Sequence, residues 1–350
     1  RFFERYERIF VPGVLILGVV VDFVTFRSIS IGSTFLILGG HLCLAVLSII
    51  LLNGKETKRG KMVSYARLIS PLILQFSFGA LLSASLIFYW FSGTVSVSWS
   101  LLGIVAILMA SNEVLLHVYQ KPSIQLGVLA FILFSLGTLM LPYAFHSVDV
   151  SIFVIAGLLS LLIMTMFIVV LARLCSSIRK QLPPIAIVVL SVFLGMNVLY
   201  FFHLIPPIPL SLREAGVYHS VQQTSAVYLV QTELESWIDS WLPGEIIHIV
   251  AGKPVYLFTS IFAPQKLNTE IVHHWQYFDD VQGKWIDKDR LSFALTGGRL
   301  DGYRGYSVKT SVQEGKWRVN VETKNGQALG HIRFEVIFVA SSPDLLPEVH

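Results

Sequence analysis

PIAIVVLSVFLGMNVLYFFHLIPPIPL, residues 184–210, holds the transition on which the fold turns. Residues 184–203 are mostly apolar and carry no Asp, Glu, Lys or Arg. That length matches the roughly 20 residues a helix needs to cross the hydrocarbon core of a bilayer. Tyr200, Phe201 and Phe202 close the run as an interfacial aromatic belt. Then comes IPPIPL at 205–210, which cannot continue a helix, because prolines remove donors and force their predecessors into extended geometry. It reads as a stiff strut. Upstream the chain repeats long apolar runs; downstream it changes to short segments with a period of two.

The whole-chain figures agree with the upstream half. Of 350 residues, 54% are hydrophobic and only 14% charged, against about 25% charged in ordinary globular proteins. Mean hydropathy is +0.68. A soluble protein of this length could not bury so much apolar surface, so lipid is the solvent for much of the chain. Disorder, coiled coil and a small disulfide scaffold are excluded by the same figures.

Seven runs are long and apolar enough to span: 9–26, 33–52, 68–91, 99–118, 125–145, 152–173 and 184–203. RFFERYER at 1–8 reads as an amphipathic interfacial lead-in, and no small-residue cleavage pattern marks it as a signal peptide. Because the sequence starts at Arg1 and not Met, it is expected to begin inside a longer chain. Lys and Arg set the orientation. One side of the membrane receives Arg1, Arg5, Arg8, Lys55, Lys58, Arg59, Lys61, Arg67, Lys121, Arg173, Arg179 and Lys180; the other side's short loops receive Arg27 alone. The N-terminus is therefore expected in the cytoplasm, and everything after residue 204 outside, which in a Gram-negative cell is the periplasm. Residues 1–204 carry a net charge of +7 and residues 205–350 a net of −3. The basic pI is thus a topology signal and not a nucleic-acid footprint. The two cysteines, Cys43 and Cys175, both lie upstream, so the downstream part can form no disulfide and no thiolate zinc site.

Asp22, His41, Gln75, Asn112, Glu113, Asn197 and His203 fall in or near the spans. An ionisable group inside a membrane is a functional candidate by default. Glu113 is the deepest carboxylate, and His117 follows it by four residues, which on a continuous helix places both on one face. Asp22, His41, Asn112, Glu113 and His117 therefore form a candidate intramembrane polar site. Interhelical hydrogen bonding is the competing reading.

From residue 225 onward, AVYLVQTE, PVYLFTSIFA, IVHHWQYFD, GKWIDKDRLSFAL, YSVKTSV, GKWRVNVET and LGHIRFEVIFV read as strands separated by Gly, Asn, Asp or Pro. Asn325-Gly326 predicts a type I′ hairpin. ELESWIDSWL at 233–242 reads as a short amphipathic helix or a loop. Seven short strands predict an antiparallel, immunoglobulin-like β-sandwich. HHWQYFD at 273–279, GGRLDGYRGYS at 297–307, GKWRVNVET at 315–323 and GQALGHIRFEV at 326–336 together resemble the bacterial domain-of-unknown-function family 2914, and IPPIPLSLREAGVYH at 205–219 resembles the approach to that domain in its multi-span members. The resemblance implies a periplasmic β-domain on an inner-membrane protein. It brings no established activity.

In a strand, His273 and Trp275 point to one face and His274 to the other. Arg299, Tyr303, Arg304, Tyr306 and Arg318 join His273 and Trp275 as a candidate cationic and aromatic patch, suited to a sugar ring, a phosphate or a carboxylate. The alternative is that these arginines tie loops to backbone carbonyls and to acids such as Asp301. Trp285 and Trp317 read as packing. Gly297, Gly298, Gly302 and Gly305 read as bends of positive φ, and Asp279, Asp280, Asp287 and Asp289 as solvated turn residues. No GxSxG, HExxH, CxxC, Rossmann or phosphate-loop motif occurs, and no catalytic, cofactor or metal residue is assigned.

The sequence thus predicts an all-α membrane bundle of about seven transmembrane helices (1–204), a Pro-rich linker (205–224) and an all-β sandwich (225–350). The function expected is binding of a partner protein or envelope glycan by an accessory or assembly subunit of a membrane complex. A transporter or lipid-handling role for the bundle, or an envelope sensor, stands as the alternative.

Overall fold

The computed structural model describes residues 31–54, 61–92, 95–207, 209–224, 227–233, 245–264, 266–297 and 302–350. The chain divides into a helical unit ending at Ile205 and a β unit whose continuous part starts at Pro206.

The helical unit contains α1 (Ile31–Asn53), α2 (Lys61–Ser92), α3 (Val95–Val114), α4 (Leu116–Tyr119), α5 (Pro122–Phe145), α6 (Val150–Leu174), α7 (Ser176–Lys180) and α8 (Leu182–Phe201). Five of these, α1, α2, α5, α6 and α8, are long and apolar enough to cross a membrane; α3 contributes the shorter apolar stretch Trp99–Val114. The expected first span, 9–26, lies outside the described residues. Leu36, Leu68 and Met166 are among many large apolar side chains left exposed on these helices, as expected where the surroundings are hydrocarbon. α5 is the most enclosed, with fourteen buried residues from Gln125 to Pro142. Small residues let its neighbours close in: a Cβ on Gly157 would lie 2.7 Å from Phe134, and one on Gly127 2.4 Å from Val188. Buried hydroxyls join α2 to α5. Ser135 donates to Ser85 Oγ (3.2 Å) and to Tyr89 OH (3.0 Å), and Tyr89 also meets Thr138 Oγ1 at 3.1 Å.

Among the described residues the β unit has eleven strands: β1 (Ser211–Tyr218), β2 (Ser220–Thr224), β3 (Val227–Glu233), β4 (Glu245–Val250), β5 (Val255–Phe262), β6 (Asn268–Asp279), β7 (Lys284–Thr296), β8 (Tyr303–Lys309), β9 (Gly315–Thr323), β10 (Ala328–Val339) and β11 (Leu345–Val349). They form a five-stranded sheet, β4-β10-β9-β6-β7, and two three-stranded sheets, β1-β5-β8 and β11-β3-β2. Pairing is antiparallel except for β4 with β10, which run parallel, so the sheet is mixed and not purely antiparallel as expected. The expected linker at 205–224 is also shorter, because β1 pairs along β5 and β2 along β3.

Alternation builds the layers. On β9, Trp317, Val319 and Val321 are buried while Arg318 and Asn320 are only partly covered. The inward set packs with Ile247, Ile249, Val255, Leu257, Trp275, Phe334 and Val336. The β11-β3-β2 sheet makes a third layer, with Val221, Tyr228 and Val230 packing together with Tyr218 of β1 around Phe258. At its border Glu233 takes His219 Nε2 at 2.9 Å and His248 Nδ1 at 2.7 Å.

The β9–β10 hairpin forms with a different turn from the one expected. Gly326 N donates to Thr323 O (2.9 Å) and Thr323 N to Gln327 O (2.9 Å). Gly326 has φ +80°, and Asn325 is not among the residues of positive φ. A type I′ turn needs positive φ at both central positions; this is a three-residue loop with a type I turn and a glycine bulge. Gly326→Ala is expected to destabilise the β unit by about 1–2 kcal/mol, the cost of a left-handed backbone for an L side chain. Chemical unfolding of the detergent-solubilised chain, followed by tryptophan fluorescence, measures it; an unchanged midpoint contradicts that turn geometry.

Candidate functional site

The candidate patch read from the sequence does not assemble on one surface. His273 and Trp275 are fully buried between the five-stranded sheet and the β1-β5-β8 sheet. His273 Nδ1 meets Ser307 Oγ at 2.8 Å and Nε2 meets Thr259 Oγ1 at 3.0 Å, while Trp275 Nε1 donates to the same Ser307 hydroxyl at 3.2 Å. Burial holds the His273 imidazole down at a pKa of about 3, so it is a neutral core residue. Tyr303 stacks on Phe293, with ring planes 14° apart, against the interior. Arg304 and Tyr306 alternate to the other side of β8, where Tyr306 meets the rings of Tyr228 and Tyr256. Arg318 belongs to the five-stranded sheet. Arg299 lies outside the described residues.

The intramembrane set assembles in part. Asn112 Nδ2 donates to Gln75 O at 3.0 Å, and Gln75 Nε2 donates to Glu113 Oε2 at 3.2 Å. His41 lies against Phe76, ring centroids 5.3 Å apart. The backbone breaks at Leu115 (φ −104°, ψ 47°), so Glu113 ends one helix and His117 belongs to the next. The expected shared face of Glu113 and His117 is therefore interrupted. Asp22 and the side chain of His117 lie outside the described residues. Nearby, α3, α4, α5 and α8 border an apolar cleft of about 380 Å³.

A different surface gathers the polar side chains: the outer face of the five-stranded sheet. Strand register sets it in rows. Arg333 on β10 pairs with Arg318 on β9, Arg318 with Gln276 on β6, and Gln276 with Asp287 on β7. The next row runs His331, Asn320, His274 and Arg290. At the other end, the Arg318 guanidinium sits 4.5 Å above the Trp285 ring, which packs on Phe278.

Gln276, almost fully buried, is the hub. Its Oε1 accepts from Arg318 Nε (2.9 Å), from Arg318 Nη2 (2.6 Å) and from Asn320 Nδ2 (3.2 Å), and its Nε2 donates to Asp287 Oδ1 at 2.6 Å. His274 is buried between two carboxylates. Its Nδ1 lies 3.3 Å from Glu322 Oε1 and its Nε2 3.0 Å from Asp287 Oδ1, the second contact without hydrogen-bond geometry. Asp287 is held below the usual carboxylate range by the Gln276 hydrogen bond and the nearby His274 and Arg290. Asp287 and Asp289 thus lie in β7 and not in a turn; Asp289 pairs with Lys309. A bulge on β7, where Lys288 is the extra residue, lets Gln276 oppose Asp287 while Trp275 opposes Asp289.

The face is polarised. Asp287 on β7 and Glu322 on β9 lie by His274, and Glu335 on β10 opposes Lys316. At the β9–β10 end Arg318 and Arg333 are direct cross-strand partners, the Arg318 guanidinium turned onto Gln276 and Trp285 and Arg333 exposed and without a hydrogen-bond or ion-pair partner among the described residues. The Arg318 and His331 pKa values are lowered, each first by burial and then by the positive charge of Arg333. None of Gln276, Asp287, His274, Asn320, Glu322, His331 and Arg333 was assigned to the candidate patch from sequence, His274 being read only for its face and Asp287 as a turn residue. The usable signal was the period of two in RVNVE and HIRFE across a hairpin, which sets Arg318 opposite Arg333 once the turn is fixed. Among the described residues, no three His, Cys, Asp or Glu side chains are placed to hold a metal ion.

Residues 268–336, which carry both rows, match the model of a family described as a protein of unknown function, DUF2914. No curated protein matches the chain. Among solved structures, an immunoglobulin-like protein from Pseudomonas aeruginosa is 13% identical, covering 37% of this chain and 92% of that one, with a TM-score of 0.20. A β-glucosidase from Listeria innocua in complex with isofagomine is 12% identical over 36% of this chain and 18% of its own, with a TM-score of 0.20. The alkylpurine DNA glycosylase AlkC of Pseudomonas fluorescens, bound to DNA containing an abasic-site analog, is 12% identical over 85% of this chain and 96% of its own, with a TM-score of 0.23. These scores carry no argument about activity.

Proposed function

We propose that this chain is a bacterial inner-membrane recognition protein whose helical unit anchors a periplasmic β unit. The outer face of the five-stranded sheet binds an anionic partner protein or envelope glycan, as an accessory or assembly subunit of a membrane complex. The observation that carries this reading is the direct pairing of Arg318 with Arg333. Like charges opposite each other across a sheet are destabilising, and Arg333 has no acid within ion-pair distance among the described residues. An anionic partner removes that repulsion. Placement in the envelope is supported by the basic residues at 55–61, 121 and 173–180, which recur at every second helix connection, and by the net −3 of residues 205–350.

Affinity capture from detergent-solubilised native membranes tests the reading. The full chain is expected to retain a stoichiometric partner or glycan, and Arg333→Ala to reduce recovery roughly tenfold or more, as for an arginine hot spot worth at least about 1.4 kcal/mol. Equal recovery by both forms, or repeated isolation of the bare chain, overturns it.

A further inference from the structure

The basic end of the outer face has the dimensions of a single compact anion. Side chains directly opposite on antiparallel strands start about 5 Å apart at their Cβ atoms. Arg318 and Arg333 hold that relation, and His331, two residues from Arg333 on the same strand, shares the face. Arg318 is pre-oriented. Its Nε and Nη2 are held by the buried Gln276 carbonyl and its plane lies over Trp285. Part of the usual cost of ordering a long side chain is therefore met before any ligand arrives.

We propose that Arg318, Arg333 and His331 form a phosphoryl-binding site that takes a phosphate monoester borne by a sugar or a lipid headgroup. This rests on the recognition reading above and names its ligand class. A planar carboxylate offers two oxygens and is satisfied by one guanidinium fork. A phosphate monoester offers three strong acceptor oxygens and a charge of about −1.5 to −2 near neutral pH, so it engages the Arg333 fork together with the Arg318 N–H groups that Gln276 leaves free, and has charge left for an imidazolium. The neighbouring charges fit this. Asp287 and Glu322 lie by His274 and offset part of the charge on Arg318, leaving Arg333 as the uncompensated cation, and Arg290 acts on Asp287 from the same strand. Lys316 and Glu335 form the adjacent cross-strand pair and offset each other. Bound phosphate cancels the repulsion that Arg318 and Arg333 exert on protonated His331, so binding is expected to tighten as pH falls through the His331 titration.

Isothermal titration calorimetry of the full chain in an uncharged detergent, at low salt, tests the site. The probes are inorganic phosphate, glucose 1-phosphate, glycerol 3-phosphate and, as the carboxylate, glucuronate. Phosphate probes are expected to bind, with Arg333→Gln and Arg318→Lys each weakening them at least tenfold, Lys253→Gln leaving them unchanged and His331→Gln flattening the pH dependence. Preference for glucose 1-phosphate assigns the phosphate to a glycan, and preference for glycerol 3-phosphate to a lipid headgroup. Phosphate binding that survives both arginine changes overturns the site. Glucuronate binding without phosphate binding overturns the phosphoryl class but leaves the recognition face. If no probe binds while Arg333→Ala still abolishes partner capture, the phosphoryl site falls and the partner is an acidic protein; if capture is also unaffected, both fall.

Discussion

Trp275→Ala will unfold the β unit far more readily than any outer-face substitution. Trp275 is completely buried, its ring meeting Trp317 at 6.3 Å and Phe334 at 6.1 Å between centroids, both near edge-to-face. Truncating a buried tryptophan costs about 3–5 kcal/mol through lost transfer energy and the cavity left behind. The change also removes an N–H from Ser307 Oγ, leaving that buried hydroxyl with His273 Nδ1. Against a typical domain stability of about 5–15 kcal/mol, the loss lowers the melting temperature on the order of 10 °C. Near-ultraviolet circular dichroism of the detergent-solubilised chain reads this transition. Trp285→Ala is the comparison, since Trp285 is only partly buried, and its shift is expected to be much smaller. Equal melts for Trp275→Ala and the wild type contradict the placement of Trp275 in the core.

Acid will destabilise the β unit before its carboxylates titrate, and His273 is the reason. An unfolded histidine titrates near 6.5, whereas buried His273 titrates at about 3. Between these values the unfolded chain binds a proton at this position and the folded chain does not. Stability is therefore complete above about pH 6.5 and falls as pH drops toward 3, by about 1.4 kcal/mol per pH unit. His331 contributes with the same sign, since burial and then Arg333 and Arg318 lower it, but it is only partly covered. Asp287 and Glu233, also lowered, act below the carboxylate range and leave the window from about pH 5 to 6.5 to histidine. For Glu233, burial opposes the shift, and hydrogen bonds from His248 and His219 more than offset it. Denaturant unfolding at pH 5 and pH 7 should show the slope in the wild type and most of it gone in His273→Asn, whatever that variant's baseline stability. A slope undiminished in His273→Asn contradicts a neutral, buried His273.

The helical unit was largely legible because lipid imposes a plain rule, and its residues obey it. Apolar runs at 33–52, 125–145 and 152–173 became helices only a few residues longer. The break at Leu115 was not legible, since SNEVLLHVYQ has neither proline nor glycine to mark it. The strands read from alternation formed, with GKWRVNVET matching β9 end to end. β4, parallel to β10, has no neighbouring hairpin to announce it, and β11 carries Pro347, which sequence reasoning counts against a strand although edge strands tolerate it. Charges misled at Asp287 and Asp289, because an edge strand such as β7 carries them as protection and looks like a turn. The glycines split by cause. Gly302 has φ +88°, as expected. Gly297 does not have positive φ and is required by contact: a Cβ there would lie 1.9 Å from Pro264 O.

The same physics explains why the site was misread. His273, Trp275 and Tyr303 carry chemistry-bearing side chains, yet alternation turns them inward, where they satisfy one another and Ser307. Arg318 was grouped with residues that the fold places elsewhere. Its partners Gln276, Asp287 and Arg333 are 42, 31 and 15 residues away in sequence and become adjacent only through strand register.

Site-specific photocrosslinking in native membranes puts the recognition face to its most direct test. A benzoylphenylalanine placed at position 316, exposed on the outer face two residues before Arg318, leaves both arginines in place and is expected to join the chain to one discrete partner. The same probe at position 222, on β2 in the third layer, is expected to yield none. A discrete adduct from 222 and none from 316 contradicts the assignment of the outer face of the five-stranded sheet as the surface that binds.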